Sequence, residues 1–124
     1  MRTDRELLEL AAKAAGFGGP EHKFCWTESE YPRGSDQHGA LWNYIGHMDT
    51  AVLWNPLTDD GDALRLVVKL GLAVEVDLCD DTTRVCETEC ELLAKHMHFD
   101  GDAEAATRRA IVRAAAHIGA TKEA

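Results

Sequence analysis

The stretch Ala73-Val74-Glu75-Val76-Asp77-Leu78, followed by Asp80-Asp81 and then Thr82–Glu87, decides the fold class. Apolar and polar residues alternate from Ala73 to Leu78, the period of a strand with one buried face. The two aspartates supply a turn, and Thr82–Glu87 predicts the antiparallel return strand. Beyond it, Met97 and Phe99 alternate with His96 and His98, which predicts a further strand within 90–99, although Leu92-Leu93 would also suit a helix. Immediately upstream lies Asn55-Pro56-Leu57-Thr58-Asp59-Asp60-Gly61-Asp62. Either Asn55 caps a helix with Pro56 at its first position, or Thr58 caps it with three aspartates in the first turn. Those carboxylates complement the positive end of the helix dipole, and Gly71 supplies a stop, so this helix covers about 58–70.

Working further outward, Thr3-x-x-Glu6 is a capping box that opens a helix over about 3–15. Asp102 caps a last helix of about 102–118, with Ile111, Ala115 and Ile118 on one face and Gly119 ending it. Thr50–Trp54 suits a short strand. The segment from Phe17 to His47 carries half of the ten glycines and two of the three prolines, and reads as a long loop. It also holds Phe24, Trp26, Trp42 and Tyr44, aromatics that pack such a loop over a sheet and offer ligand contacts. The order of elements predicts one α+β domain over 1–124: a small antiparallel sheet packed with about three helices, with the aromatic-containing loop after helix one.

The 124 residues carry 13 Lys+Arg against 22 Asp+Glu, a formal net charge of −9. That balance argues against broad binding to nucleic acid, which depends on basic side chains displacing counterions from phosphates. It favours a partner protein with a basic site. No apolar run reaches the ~18–20 residues of a membrane span, and the charged start MRTDRELLEL is unlike a signal peptide, so a cytosolic protein is expected.

Cys25, Cys79, Cys86 and Cys90 are expected to be reduced in that compartment. The alternative is a zinc-stabilised domain in which Cys86-x3-Cys90 and His96-x-His98 close a tetrahedral site. Only five residues separate Cys90 from His96, tighter than in the usual fingers and ribbons, so no cofactor is the first expectation. Catalytic signatures are weak. Ser35-Asp36-x-His38 has triad residue types too close in sequence for triad geometry, and Asp59-Asp60-Gly61-Asp62 lacks the spaced ligands of a calcium loop. A non-enzymatic protein is expected.

Arg108, Arg109 and Arg113 form the sharpest binding candidate. Arg109 and Arg113 are four apart on one helix face, where like charges repel unless compensated. Ion pairing with carboxylates is the ordinary compensation, with the Arg108 stem packed and its head paired. The functional reading is an anion pocket for a phosphate or nucleotide, with Trp26, Trp42 or Tyr44 stacking on a base, in a homo-oligomer whose interface builds the site.

Two segments, Trp54-Asn55-Pro56-Leu57-Thr58-Asp59-Asp60-Gly61-Asp62-Ala63-Leu64-Arg65-Leu66 and Ala105-Ala106-Thr107-Arg108-Arg109-Ala110-Ile111-Val112-Arg113-Ala114-Ala115, resemble the phage ABA (alpha/beta/alpha) sandwich domain family of small bacteriophage and prophage proteins. The resemblance implies a phage product in the bacterial cytosol, with helices packed around a sheet. It carries no reaction. It makes a counter-defence role plausible, in which the protein engages a host protein or sequesters a nucleotide signal.

Overall fold

The computed structural model describes residues 2–16, 22–26, 41–45, 52–87, 92–98 and 101–122, with the backbone alone for 22–26, 41–45, 52–53 and 122. The order is α1 (Asp4–Ala14), β1 (His22–Trp26), β2 (Leu41–Ile45), β3 (Val52–Trp54), α2 (Asp60–Leu70), β4 (Ala73–Asp77), β5 (Thr82–Cys86), β6 (Leu92–Met97) and α3 (Ala103–Lys122). The α+β class stands, with three helices and antiparallel strands.

The strands divide into two three-stranded sheets, β1-β2-β3 and β4-β5-β6, where the sequence had suggested one. The stretch read as a loop contains β1 and β2, paired in continuous register from His22↔Ile45 to Trp26↔Leu41. Both runs are short and rich in apolar and aromatic residues, which suits strands; the glycines and prolines around them dominated the local signal. The second sheet matches expectation. Val74 faces Val85 and Asp77 faces Thr82 across the β4–β5 hairpin, and within 90–99 the described residues form a strand over Leu92–Met97, with an irregularity between Val85 and Cys86. Asp77 closes the hairpin by accepting from the amides of Cys79 and Asp80, both at 3.0 Å. Asp81 takes φ 53°, a left-handed conformation that aspartate tolerates better than most residues.

The helix starts follow the caps. Thr3 and Glu6 form the full capping box of α1. At α2 the cap falls one residue after Thr58 and four after Asn55: Asp59 accepts from the Asp62 amide at 2.8 Å. Asn55 instead organises the preceding turn, its side chain accepting from Leu57 and its carbonyl from Asp59. Gly71 ends α2 at φ 66°, as expected of a left-handed cap. Asp102 caps α3 through the Ala105 amide.

Gly119 does not end α3, which continues to Lys122. The residue serves packing: a Cβ there would run into the backbone carbonyl of Leu10. Asp4 meets Arg109 and Leu10 meets Gly119, so α1 and α3 run in the same sense. Small residues, Ala11 and Ala15 on one helix and Ala110, Ala114 and Ala115 on the other, bring them close, and larger side chains complete the core: Leu8, Trp54, Leu66, Val85 and Val112. Helix α3 lies across β5 and β6 and touches β4 least. The segments 54–66 and 105–115 meet one another, because Arg108 on α3 binds Leu57 and Asp60.

Candidate anion-binding site

Helix α3 presents Arg109, Arg113 and His117 at i, i+4 and i+8, a single stripe along one face. That stripe forms one wall of a 410 Å³ cavity. Leu93 and His96 of β6 form another, and Arg2 and Leu7, at the start of α1, close it. Three arginines and two histidines therefore converge in a protein with net charge −9, and no carboxylate belongs to the lining among the described residues.

Asp4 takes both Nη atoms of Arg109, at 2.9 and 3.2 Å. This forked pair fixes the guanidinium and ties the first turn of α1 to α3. Arg113 pairs with no carboxylate among the described residues; its Nη1 donates to Nδ1 of His96 at 3.3 Å. A guanidinium cannot accept, so His96 is neutral in this arrangement with its proton on Nε2. Burial, first, and then the charges of Arg113, Arg109 and His98 hold the His96 imidazole below its ordinary 6.5. The cavity is thus cationic, with the charge of Arg109 compensated by Asp4.

Of the residues singled out in the sequence, Arg109 and Arg113 reach this cavity and Arg108 does not. One residue of helical rotation sends Arg108 to the other flank, where Nε donates to the Leu57 carbonyl at 2.9 Å and Nη1 binds Asp60 at 2.7 Å. Its stem is mostly buried, with the side chain 19% exposed, and its role is to join α2 to α3. Trp26 stands opposite Leu41, Trp42 opposite Cys25 and Tyr44 opposite Lys23 in the β1–β2 ladder; their side chains lie outside the described residues. Sequence reasoning missed Arg2, Leu7, Leu93 and His117. For His117 the signal was present, in the extension of the Arg109–Arg113 spacing by one more turn. Arg2, Leu7 and Leu93 come from distant elements and had no local signal.

The alternative zinc quartet divides as well. His98 is buried, with Nε2 at 2.7 Å from the Thr83 hydroxyl, which in turn lies 2.8 Å from Thr107 on α3. His96 points to Arg113, Cys86 is half-buried on β5, and Cys90 lies outside the described residues. Among the described residues no group of three or more histidine, cysteine or acidic side chains is placed to hold a metal ion. Ser35, Asp36 and His38 also lie outside the described residues, and no described helix is long and apolar enough to cross a membrane. Comparison of the chain with protein-family models, curated proteins and solved structures returned no match.

Proposed function

We propose that this chain is a non-enzymatic binding protein whose cavity between α1, β6 and α3 takes a small phosphate-bearing ligand, a nucleotide. The observation that carries the reading is the convergence of Arg2, Arg109, Arg113, His96 and His117, with no carboxylate among the described lining residues. Arginine forks match phosphate oxygens, and a neutral His96 with Nε2 protonated adds a donor that needs no charge. The volume falls within the roughly 300–1,000 Å³ of small-molecule sites. Among the described residues the lining contains no serine, cysteine or carboxylate to serve as nucleophile, which supports binding as the reading.

The phage resemblance of 54–66 and 105–115 supplies the setting of this proposal: a counter-defence protein in the bacterial cytosol that withdraws a nucleotide signal by binding it. Trp26, Trp42 and Tyr44 remain the aromatics proposed to stack on its base, and a homo-oligomer the form in which they do so.

The test is isothermal titration with ATP, together with native mass spectrometry of protein purified without added ligand. A saturable complex, weakened at least ten-fold by Arg113→Ala with the fold intact by circular dichroism, is the expected result. Equal affinity for the wild type and Arg113→Ala, or no complex with ATP or inorganic phosphate at millimolar concentration, overturns it.

A further inference from the structure

On the opposite flank of α3 lies a second cavity, an open groove of 430 Å³. Its apolar walls are Ala63, Leu64 and Val67 of α2, Val74 and Val76 of β4, and Ile111 of α3. The groove exists because α3 lies over β5 and β6 and leaves β4 largely uncovered, while α2 stands at the side as a far wall. In consequence Leu64 is 62% exposed and Val76 47% exposed, with Val68 and Leu78 extending the apolar strip beyond the groove. Contiguous apolar surface of this kind is the usual mark of an interaction site.

The rim identifies the occupant. Asp60, Glu104 and Arg108 border the groove, and residues 59–81, which build two of its walls, carry seven acidic side chains against two basic ones. Asp60 is bridged to Arg108 and Glu75 to Arg84, whereas Glu104 makes no ion pair among the described residues. A second copy of this chain would set the same acids against one another, a like-charge juxtaposition that disfavours the complex. A partner with apolar anchors and flanking Lys or Arg meets both the floor and the rim.

We infer that the α2–β4–α3 groove is a docking site for an amphipathic helix of a partner protein, with Leu-type anchors at i, i+3, i+4 and i+7 and basic residues on either side of that stripe. Such a helix lies beside α3 and completes the cover of β4, the helix-in-groove mode of recognition. The site is separate from the cationic cavity and does not depend on it.

The probe is a 16-residue helical peptide with leucine at those anchor positions and lysine at its flanks, compared with a peptide of equal charge in which serine replaces leucine. Methyl NMR shifts are expected on Leu64, Val67, Val74, Val76 and Ile111, with affinity falling as salt is raised and at least ten-fold lower in Val76→Asp. Val76 is half-exposed, so that variant keeps its fold; Leu64→Asp is the second variant and is expected to act alike. The inference is overturned by equal binding of the serine peptide, by shifts centred on His96 and His117, by unchanged affinity in both variants, or by concentration-dependent self-association that buries the groove in a second copy.

Discussion

The two flanks of α3 are built from the same helix and differ in nearly every physical property. On one, Arg109, Arg113 and His117 meet Arg2 and His96 around a cationic cavity. On the other, Thr107, Arg108 and Ile111 border an apolar groove with acids at its rim. Arg108 and Arg109 are adjacent in sequence, yet one is a structural clamp on α2 and the other faces a cavity. The contrast shows that a cluster of arginines in sequence carries little meaning until the rotation of the helix divides it. What separates the roles is the partner each guanidinium finds: the Leu57 carbonyl and Asp60 for Arg108, Asp4 for Arg109, and an imidazole for Arg113.

The largest effect is expected at Gly119. Alanine there must push α1 away from the Leu10 contact, and overpacking of this kind costs about 1–3 kcal/mol. Denaturant unfolding measures it. Because α1 supplies Leu7 and the residues leading into it supply Arg2, the same change should weaken ATP binding while the Leu/Lys peptide binds as before; equal damage to both flanks would break the comparison.

Arg108→Ala comes next. It leaves the Leu57 carbonyl and Asp60 without their donor, and a loss of about 1–2 kcal/mol in unfolding free energy is expected. Arg113→Ala, on an exposed side chain, should leave stability within about 0.5 kcal/mol. Opposite outcomes for ligand binding, unaffected in the first and reduced in the second, would sharpen the division between the flanks.

A smaller, few-fold effect is expected from pH on the cationic side. A bound anion opposes the burial and the like charges that depress His96, so binding takes up a proton, and affinity rises as pH falls below 6.5. Sulfate is the suitable probe, since it does not itself titrate over this range. A flat sulfate affinity from about pH 7.5 to about pH 5.5 would mean that His96 takes up no proton and serves only as the neutral Nε2 donor. Without ligand the sign reverses: the unfolded chain binds the proton first, and stability declines as pH falls through the same window.

The smallest effect belongs to Asp62, behind the groove. Burial, and secondarily Asp59, raises its carboxyl above 3.8 against the opposing Asn55 amide and Arg65. The folded protein therefore holds this proton more tightly than the unfolded chain, so its contribution to stability increases as pH falls from neutral toward 3.8. Asp62→Asn should flatten that part of the profile in thermal melts, by a few degrees at most.

The sequence was most readable where local chemistry decides conformation. The capping box at Thr3 and Glu6, the αL glycine at 71 and the period-2 pattern of 73–78 each act within a few residues, and each gave the element that forms. Reading failed where a residue's role is set by a distant neighbour. Gly119 has the look of a helix stop until Leu10 arrives against it, and β1 and β2 become strands by pairing with each other across a glycine-containing stretch. The candidate site divides in the same way. The Arg109–Arg113 stripe follows from helical spacing, whereas the contribution of Arg2 and Leu7 depends on how α1 docks.

That docking has a kinetic consequence. Asp4 and Arg109 are 105 positions apart, while the β4–β5 and β5–β6 hairpins pair residues close in sequence. Loop closure penalises the long-range pair, so the hairpins are placed to form early and α1 to join late. During synthesis, α1 leaves the ribosome long before the helix it packs on exists. The cationic cavity then comes into being only at the final step, when the first helix of the order closes on the last.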